Sequence, residues 1–181
     1  MPAPLTPIVP DSVDALDGYL HRAESRVAGI RRGCEKTIVW HGGRRQRRDL
    51  AVVYLHGFSA SRRETWPLCD RLAESIGANL FYTRLAGHGR DGNALAEATL
   101  SDWQADGLEA VDIGRRLGRR IILVGMSTGG TLAAWLATQP KVAPLLHSLV
   151  LLSPNFMPKN PLAAAALWPP ALRLMENSFG G

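Results

Sequence analysis

The sequence predicts an α/β protein whose sheet is mostly parallel and doubly wound. Three observations carry this. Short apolar, β-branched runs alternate with segments of helical periodicity, the order that produces a parallel sheet with helices on both faces. The runs at 50–57, "LAVVYLHG", and 119–126, "RRIILVGM", are apolar without alternation, as strands covered on both faces are. Glycine-rich turns close the runs at the end where such sheets build their sites.

Each element follows in order. Residues 1–10 are rich in proline and extended. Residues 11–24 read as a helix, with Val13, Leu16, Leu20 and Ala23 on one face and Asp11 or Ser12 as N-cap. "KTIVW" is a short strand, and 50–57 a longer one ending in His-Gly. Pro67 belongs in the first turn of the next helix, with Thr65 as N-cap and Gly77 as the stop. "NLFYTRL" at 79–85 is a strand closed by "AGHGRDG". A helix spans about 102–118, where Ser101 and Gln104 form a capping box and Gly118 ends it. The strand at 119–126 leads into the helix "TGGTLAAWLATQP", and "LLHSLVLLSP" at 145–154 is a further buried strand. Beyond it, prolines at 158, 161, 169 and 170 bracket a short Ala-rich helix. No repeat or inter-domain linker interrupts the chain.

Composition narrows the functional classes. The chain has 181 residues, 46% hydrophobic and 20% charged, enough to bury one core and too apolar to stay disordered. Its formal charge of +5 sits largely in Arg31–Arg32 and the "RRQRR" run at 44–48. That run lies between two strands, without interleaved aromatics or a recognition helix, so it reads as a solvated loop and not as a nucleic-acid surface. Cys34 and Cys69 are far apart and match no metal spacing, which points to a reducing compartment. With no signal-peptide pattern and no run of membrane-spanning length, a cytoplasmic location is expected.

The chemistry concentrates in "ILVGMSTGG". Ser127 lies between Gly125 and Gly129, after a strand and before a helix, the context in which G-x-S-x-G presents a nucleophile. Side chains at 125 or 129 would collide with the neighbouring strand and helix, while the helix N-terminus puts partial positive charge where an oxyanion would form. "LHGF" at 55–58 ends the central strand and can aim a backbone N–H at the same point. Phe58 N–H and Thr128 N–H are the expected oxyanion donors, each worth about 3 kcal/mol of transition-state stabilisation. No cofactor is expected, since "AGHGRDG" lacks both phosphate-loop and dinucleotide patterns, and no metal.

With "YLHGFSAS", "YTRLAGHGRDG", "LSDWQADGLEAVDIGRRLG" and "ILVGMSTGGTLAAWLA" in this order over roughly 36–155, the chain resembles the α/β-hydrolases. The likeness is to bacterial serine hydrolases of the esterase, lysophospholipase-like and serine aminopeptidase-like group. The resemblance implies Ser127 as nucleophile, Phe58 and Thr128 as oxyanion donors, and His56 and 87–92 as loop-shaping elements. It also implies an N-terminal extension at 1–35, an incomplete core at 36–155 and the start of a cap or lid at 156–181.

The family places its acid and histidine after the serine. Here only Glu176 and His147 follow, with Ser153-Pro154-Asn155 where a carboxylate could stand. His147 falls near the start of its strand, away from Ser127, and Glu176 in a polar tail. The expectation is a chain cut short, with C-terminal strands missing and the strand at 147–153 left as an edge prone to self-association. A His88–Ser127 dyad oriented by Asp91 or Asp102 is an alternative. The expected activity is cleavage of an acyl or lipid-like ester through an acyl-enzyme on Ser127. A peptidase or amide hydrolase, or a catalytically inactive hydrolase-fold protein, is the competing reading.

Overall fold

A computed structural model describes residues 8–156. They build a five-stranded sheet in the order β1-β3-β2-β4-β5. The strands are β1 Thr37–Val39, β2 Arg48–Leu55, β3 Asn79–Tyr82, β4 Gly118–Met126 and β5 Leu146–Leu152. All neighbours run parallel except β1, which lies antiparallel on β3. The helices are α1 Leu16–Ser25, α2 Leu68–Ser75, α3 Gly92–Glu97, α4 Leu100–Leu117 and α5 Thr128–Ala137.

Strand alternation divides the core into two layers. Ala51, Val53 and Leu55 of β2 and Ile121 and Leu123 of β4 face α1, α4 and α5. Val52, Tyr54, Ile122 and Val124 point the other way, onto Cys69 and Ala73 of α2. The sheet is therefore wound on both sides, as its unbroken apolar runs require. α1 is part of this fold: Leu16 and Leu20 are buried in the larger layer.

Several local expectations are corrected. α4 starts two residues earlier than expected. Thr99 is its N-cap and Asp102 closes the capping box, in place of Ser101 and Gln104. Both pairs have the required spacing, but Thr99 is the residue with extended backbone (φ −101°, ψ 163°), which lets its hydroxyl turn back onto the Asp102 N–H. Pro67 precedes α2 as its N-cap and does not enter the first turn, because Thr65 O accepts from Leu68 N in a turn that delays the helix. α3, unanticipated, starts inside the glycine-rich stretch, where the Asp91 carboxylate caps Ala94 N at 2.9 Å. The Arg44–Arg48 run is used locally: Arg45 pairs with Asp17, Arg47 donates to Gly118 O and Arg48 to His41 O. Among the described residues no helix is long and apolar enough to cross a membrane. The expected lid segment at 156–181, apart from Phe156, lies outside the described residues, Glu176 with it.

Candidate active site

Ser127 occupies the one residue between β4 and α5, with φ 49° and ψ −114°. A non-glycine residue there carries roughly 1–3 kcal/mol of strain and persists only when its surroundings fix it. Three hydrogen bonds do so. Ser127 N donates to Leu152 O (2.9 Å), and Ser127 O accepts from Thr131 N (3.1 Å) and Asn155 N (3.4 Å). The flanking glycines clear the space. A Cβ at 125 would stand 2.4 Å from Gly129 O, on the helix that follows, and one at 129 would stand 2.2 Å from Leu55 O, on β2.

The His-Gly turn after β2 closes against this elbow. A Cβ on Gly57 would be 3.3 Å from Ser127 Cβ. Glu64, which stands in no motif, anchors the turn: its Oε2 accepts from Gly57 N and from Tyr54 Oη, both at 2.9 Å. Phe58 follows directly, its ring edge-on to His88 and Trp103. Thr128 opens α5, so its N–H has no intrahelical acceptor. The two expected donors thus lie on the two segments that flank Ser127, beside the positive end of α5.

The loop after β3 is pinned from below. Ala86 N donates to Asp106 Oδ2 (2.6 Å), and Ala86 O accepts from Trp103 Nε1 and faces His88 Nδ1, each at 3.0 Å. Asp106 also pairs with Lys36 Nζ at 2.9 Å. Burial alone would lower the Lys36 pKa, but Asp106 and Glu109 outweigh it and hold the ammonium charged above its ordinary value. Asp106 lies 20 residues from Ala86 and 70 from Lys36, with no spacing signal that could have joined them.

The histidines divide by position. His56 is fully buried, with Nδ1 2.9 Å from Gly57 O and Nε2 accepting from Leu85 N at 3.1 Å. Burial lowers its pKa to about 4, so it is a neutral brace for the turn. His88 spends Nδ1 on Ala86 O, and burial lowers its pKa too. Its Nε2 is buried and has no partner among the described residues. The Asp91 carboxylate caps α3 and the Asp102 carboxylate accepts from Thr99 N and Oγ1, so neither orients His88. His147 is exposed near the start of β5, whereas Ser127 follows the Met126–Leu152 pair at the opposite end. Where an acid could have followed β5, Asn155 accepts from Thr131 Oγ1 (2.6 Å) and donates to Thr128 Oγ1 (3.2 Å). The described residues therefore bring Ser127 together with the two segments that carry Phe58 and Thr128, without a histidine–carboxylate pair. They also hold no cluster of three metal-ligating side chains.

A parallel sheet that presents a serine on a strained turn between strand and helix, with a second loop closed over it, defines the α/β-hydrolase class. The chain belongs to the alpha/beta hydrolase family, whose profile matches residues 52–179. It is 31% identical over 88 residues to a thermostable monoacylglycerol lipase of Bacillus sp. (strain H-257), covering 49% of this chain and 35% of the lipase. Among solved structures, it is similar to a metagenome-derived lipolytic enzyme from the LipS and LipT work, with a TM-score of 0.64 and 26% identity, over 77% of this chain and 54% of that one. Est1E from Butyrivibrio proteoclasticus, solved with ferulic acid, shares the fold at a TM-score of 0.54 and 22% identity, over 66% of this chain and 48% of that one. The chain thus spans between about a third and a half of the length of these relatives.

Proposed function

We propose that this chain carries the nucleophile and oxyanion hole of a carboxylic ester hydrolase acting on acyl or lipid-like esters. The observation that carries the reading is Ser127 itself: a strained serine fixed by three backbone hydrogen bonds, with Gly57 packed against it. Ser127 Oγ attacks the ester carbonyl. The carbonyl oxygen becomes an oxyanion received by Phe58 N–H and Thr128 N–H, and the C–O bond to the alcohol breaks to leave an acyl-serine. Water then releases the acid and restores the serine. A base takes the Ser127 proton and hands it to the departing alcohol; in the second half it takes a proton from the attacking water and returns it to Ser127. The names of the lipase and the lipolytic enzyme that the chain is similar to favour an apolar acyl group over a peptide. The segment from 156 on is taken as the start of a lid, and the free Cys34 and Cys69 suit a cytoplasmic setting.

Labelling with a fluorophosphonate probe tests the reading. One adduct on Ser127, lost in Ser127→Ala, is expected; an adduct on another residue refutes it. That the described residues hold no histidine–carboxylate pair beside Ser127 favours a second reading, a hydrolase-fold protein that binds esters without turning them over. That reading predicts ester binding with no adduct.

A further inference from the structure

A carboxylate stands beside Ser127. A Cβ built on Gly57 would meet Glu64 Oε1 at 2.7 Å and Ser127 Cβ at 3.3 Å, so these two atoms are no more than about 6 Å apart. The φ of Gly57 is not positive, so glycine is needed there for space and not for conformation. The absent side chain is what admits the carboxylate next to Ser127. Two hydrogen bonds hold it in place. Oε2 accepts from Gly57 N and from the hydroxyl of Tyr54, a fully buried residue. Among the described residues Oε1 accepts no hydrogen bond, and Glu64 as a whole is exposed.

The charge of Glu64 is not neutralised by its neighbours. Arg62 and Arg63 precede it in sequence but turn to Gly33. Arg62 Nε donates to Gly33 O at 2.9 Å, and Arg63 Nη2 would lie 2.7 Å from a Cβ on Gly33. Among the described residues Glu64 pairs with no Lys or Arg. His56, which precedes Gly57, is kept neutral by burial. In a setting between protein surface and water, a unit charge about 6 Å away shifts an equilibrium by about tenfold. An oxyanion formed at Ser127 meets that penalty unless the substrate brings positive charge with it.

We infer that Glu64 is a specificity-determining residue that selects esters carrying an ammonium group close to the reacting carbonyl. The inference rests on the reading of Ser127 as the nucleophile. The ammonium belongs to the alcohol or to the acyl half, and the test separates the two.

The test uses the intact chain carrying Ser127→Ala, so that binding is read without turnover. Two pairs of esters are titrated by calorimetry, each setting a trimethylammonium group against its uncharged tert-butyl twin. One pair carries the group on the alcohol: 2-(trimethylammonio)ethyl hexanoate and 3,3-dimethylbutyl hexanoate. The other carries it on the acyl half: hexyl trimethylammonioacetate and hexyl 3,3-dimethylbutanoate. At low salt one charged ester should bind about tenfold tighter than its twin, and the advantage should shrink as salt is raised. The pair that shows it assigns the ammonium to its half of the substrate. Glu64→Gln keeps an acceptor for Gly57 N and Tyr54 Oη, so the turn should stand, and the thermal midpoint checks it. This variant should abolish the advantage and leave the affinity for the uncharged twin unchanged. Asp70→Asn removes a carboxylate that also accepts from a tyrosine, Tyr82, and should keep the advantage. Twins bound alike or not at all in both pairs, an advantage surviving Glu64→Gln, or an equal loss of both twins in that variant overturns the inference. Failure of the nucleophile reading looks different: the charge preference is present, and the wild-type chain takes no fluorophosphonate on Ser127.

Discussion

Gly129→Ala puts the elbow geometry to a direct test. The new methyl would stand 2.2 Å from Leu55 O and 2.5 Å from His56 O, closer than real Cβ atoms approach anything. Both obstacles are backbone, at the end of β2 and in the turn that follows it, so no side chain can rotate away. The end of β2 must retreat by about 1 Å to restore ordinary contact. Overpacking of this kind costs about 1–3 kcal/mol or more, against a gain of up to about 1 kcal/mol from replacing glycine within a helix. A net loss near 2 kcal/mol lowers the thermal midpoint by about 4–8 °C in a chain of this size. The same retreat carries Phe58 N–H away from the oxyanion position proposed for it, and a misplacement of about 1 Å costs on the order of 100-fold in reactivity. Calorimetry and the rate of fluorophosphonate labelling measure the two effects. Gly92→Ala is the control, since a Cβ there meets nothing within 4 Å and φ is unrestricted; it should leave the midpoint level or slightly raised. A Gly129→Ala chain as stable as Gly92→Ala would refute the claim that the β2 backbone limits this position.

His56 gives a pH-dependent test: its pKa falls from 6.5 to about 4 on burial, so the unfolded chain takes up the proton first. Its stabilising contribution, about 3 kcal/mol, is complete above pH 6.5 and is lost as the pH drops toward 4; urea unfolding at pH 7 and pH 4.5 should show the gap between wild type and His56→Gln closing at the lower pH, and a gap equal at both refutes it. Among the described residues β5 pairs only with β4, leaving its other edge open, and the leucines and valine there are only partly covered. The purified chain is expected to elute as a dimer or larger species, and Leu149→Lys to reduce that association; a wild-type monomer at all concentrations refutes the edge as an interface.

The strands and the elbow were legible because each rests on local pattern. Val52 to Leu55 and Ile121 to Val124 are apolar at every position, which only a strand buried on both faces requires. Gly125 and Gly129 meet backbone that the strand–turn–helix order already places nearby. The cap of α4 was ambiguous because two pairs with capping spacing start two residues apart, and backbone conformation decides between them. Glu64, Asp106 and Lys36 were not legible. Their partners are loop N–H groups and side chains that only tertiary packing brings within reach. The sequence marks Asn155 only as a position without a carboxylate, whereas in the fold its backbone binds Ser127 and its side chain binds Thr128 and Thr131.

That role of Asn155 joins the sheet edge to the chemistry. The strain at Ser127 is held by Leu152 O and Asn155 N, both on or just after β5, and by Thr131 N of α5. Two of the three restraints therefore come from the edge of the described sheet, the strand with the fewest neighbours. A strained residue relaxes when its restraints loosen, so the elbow is only as well set as β5 is fixed. Any strand that covers the open edge of β5 would steady Leu152 and Asn155, and through them the position of Ser127 Oγ. On this argument edge pairing and nucleophile geometry are a single property of the site: a change that frays β5 should slow reaction at Ser127 without altering a residue of the elbow.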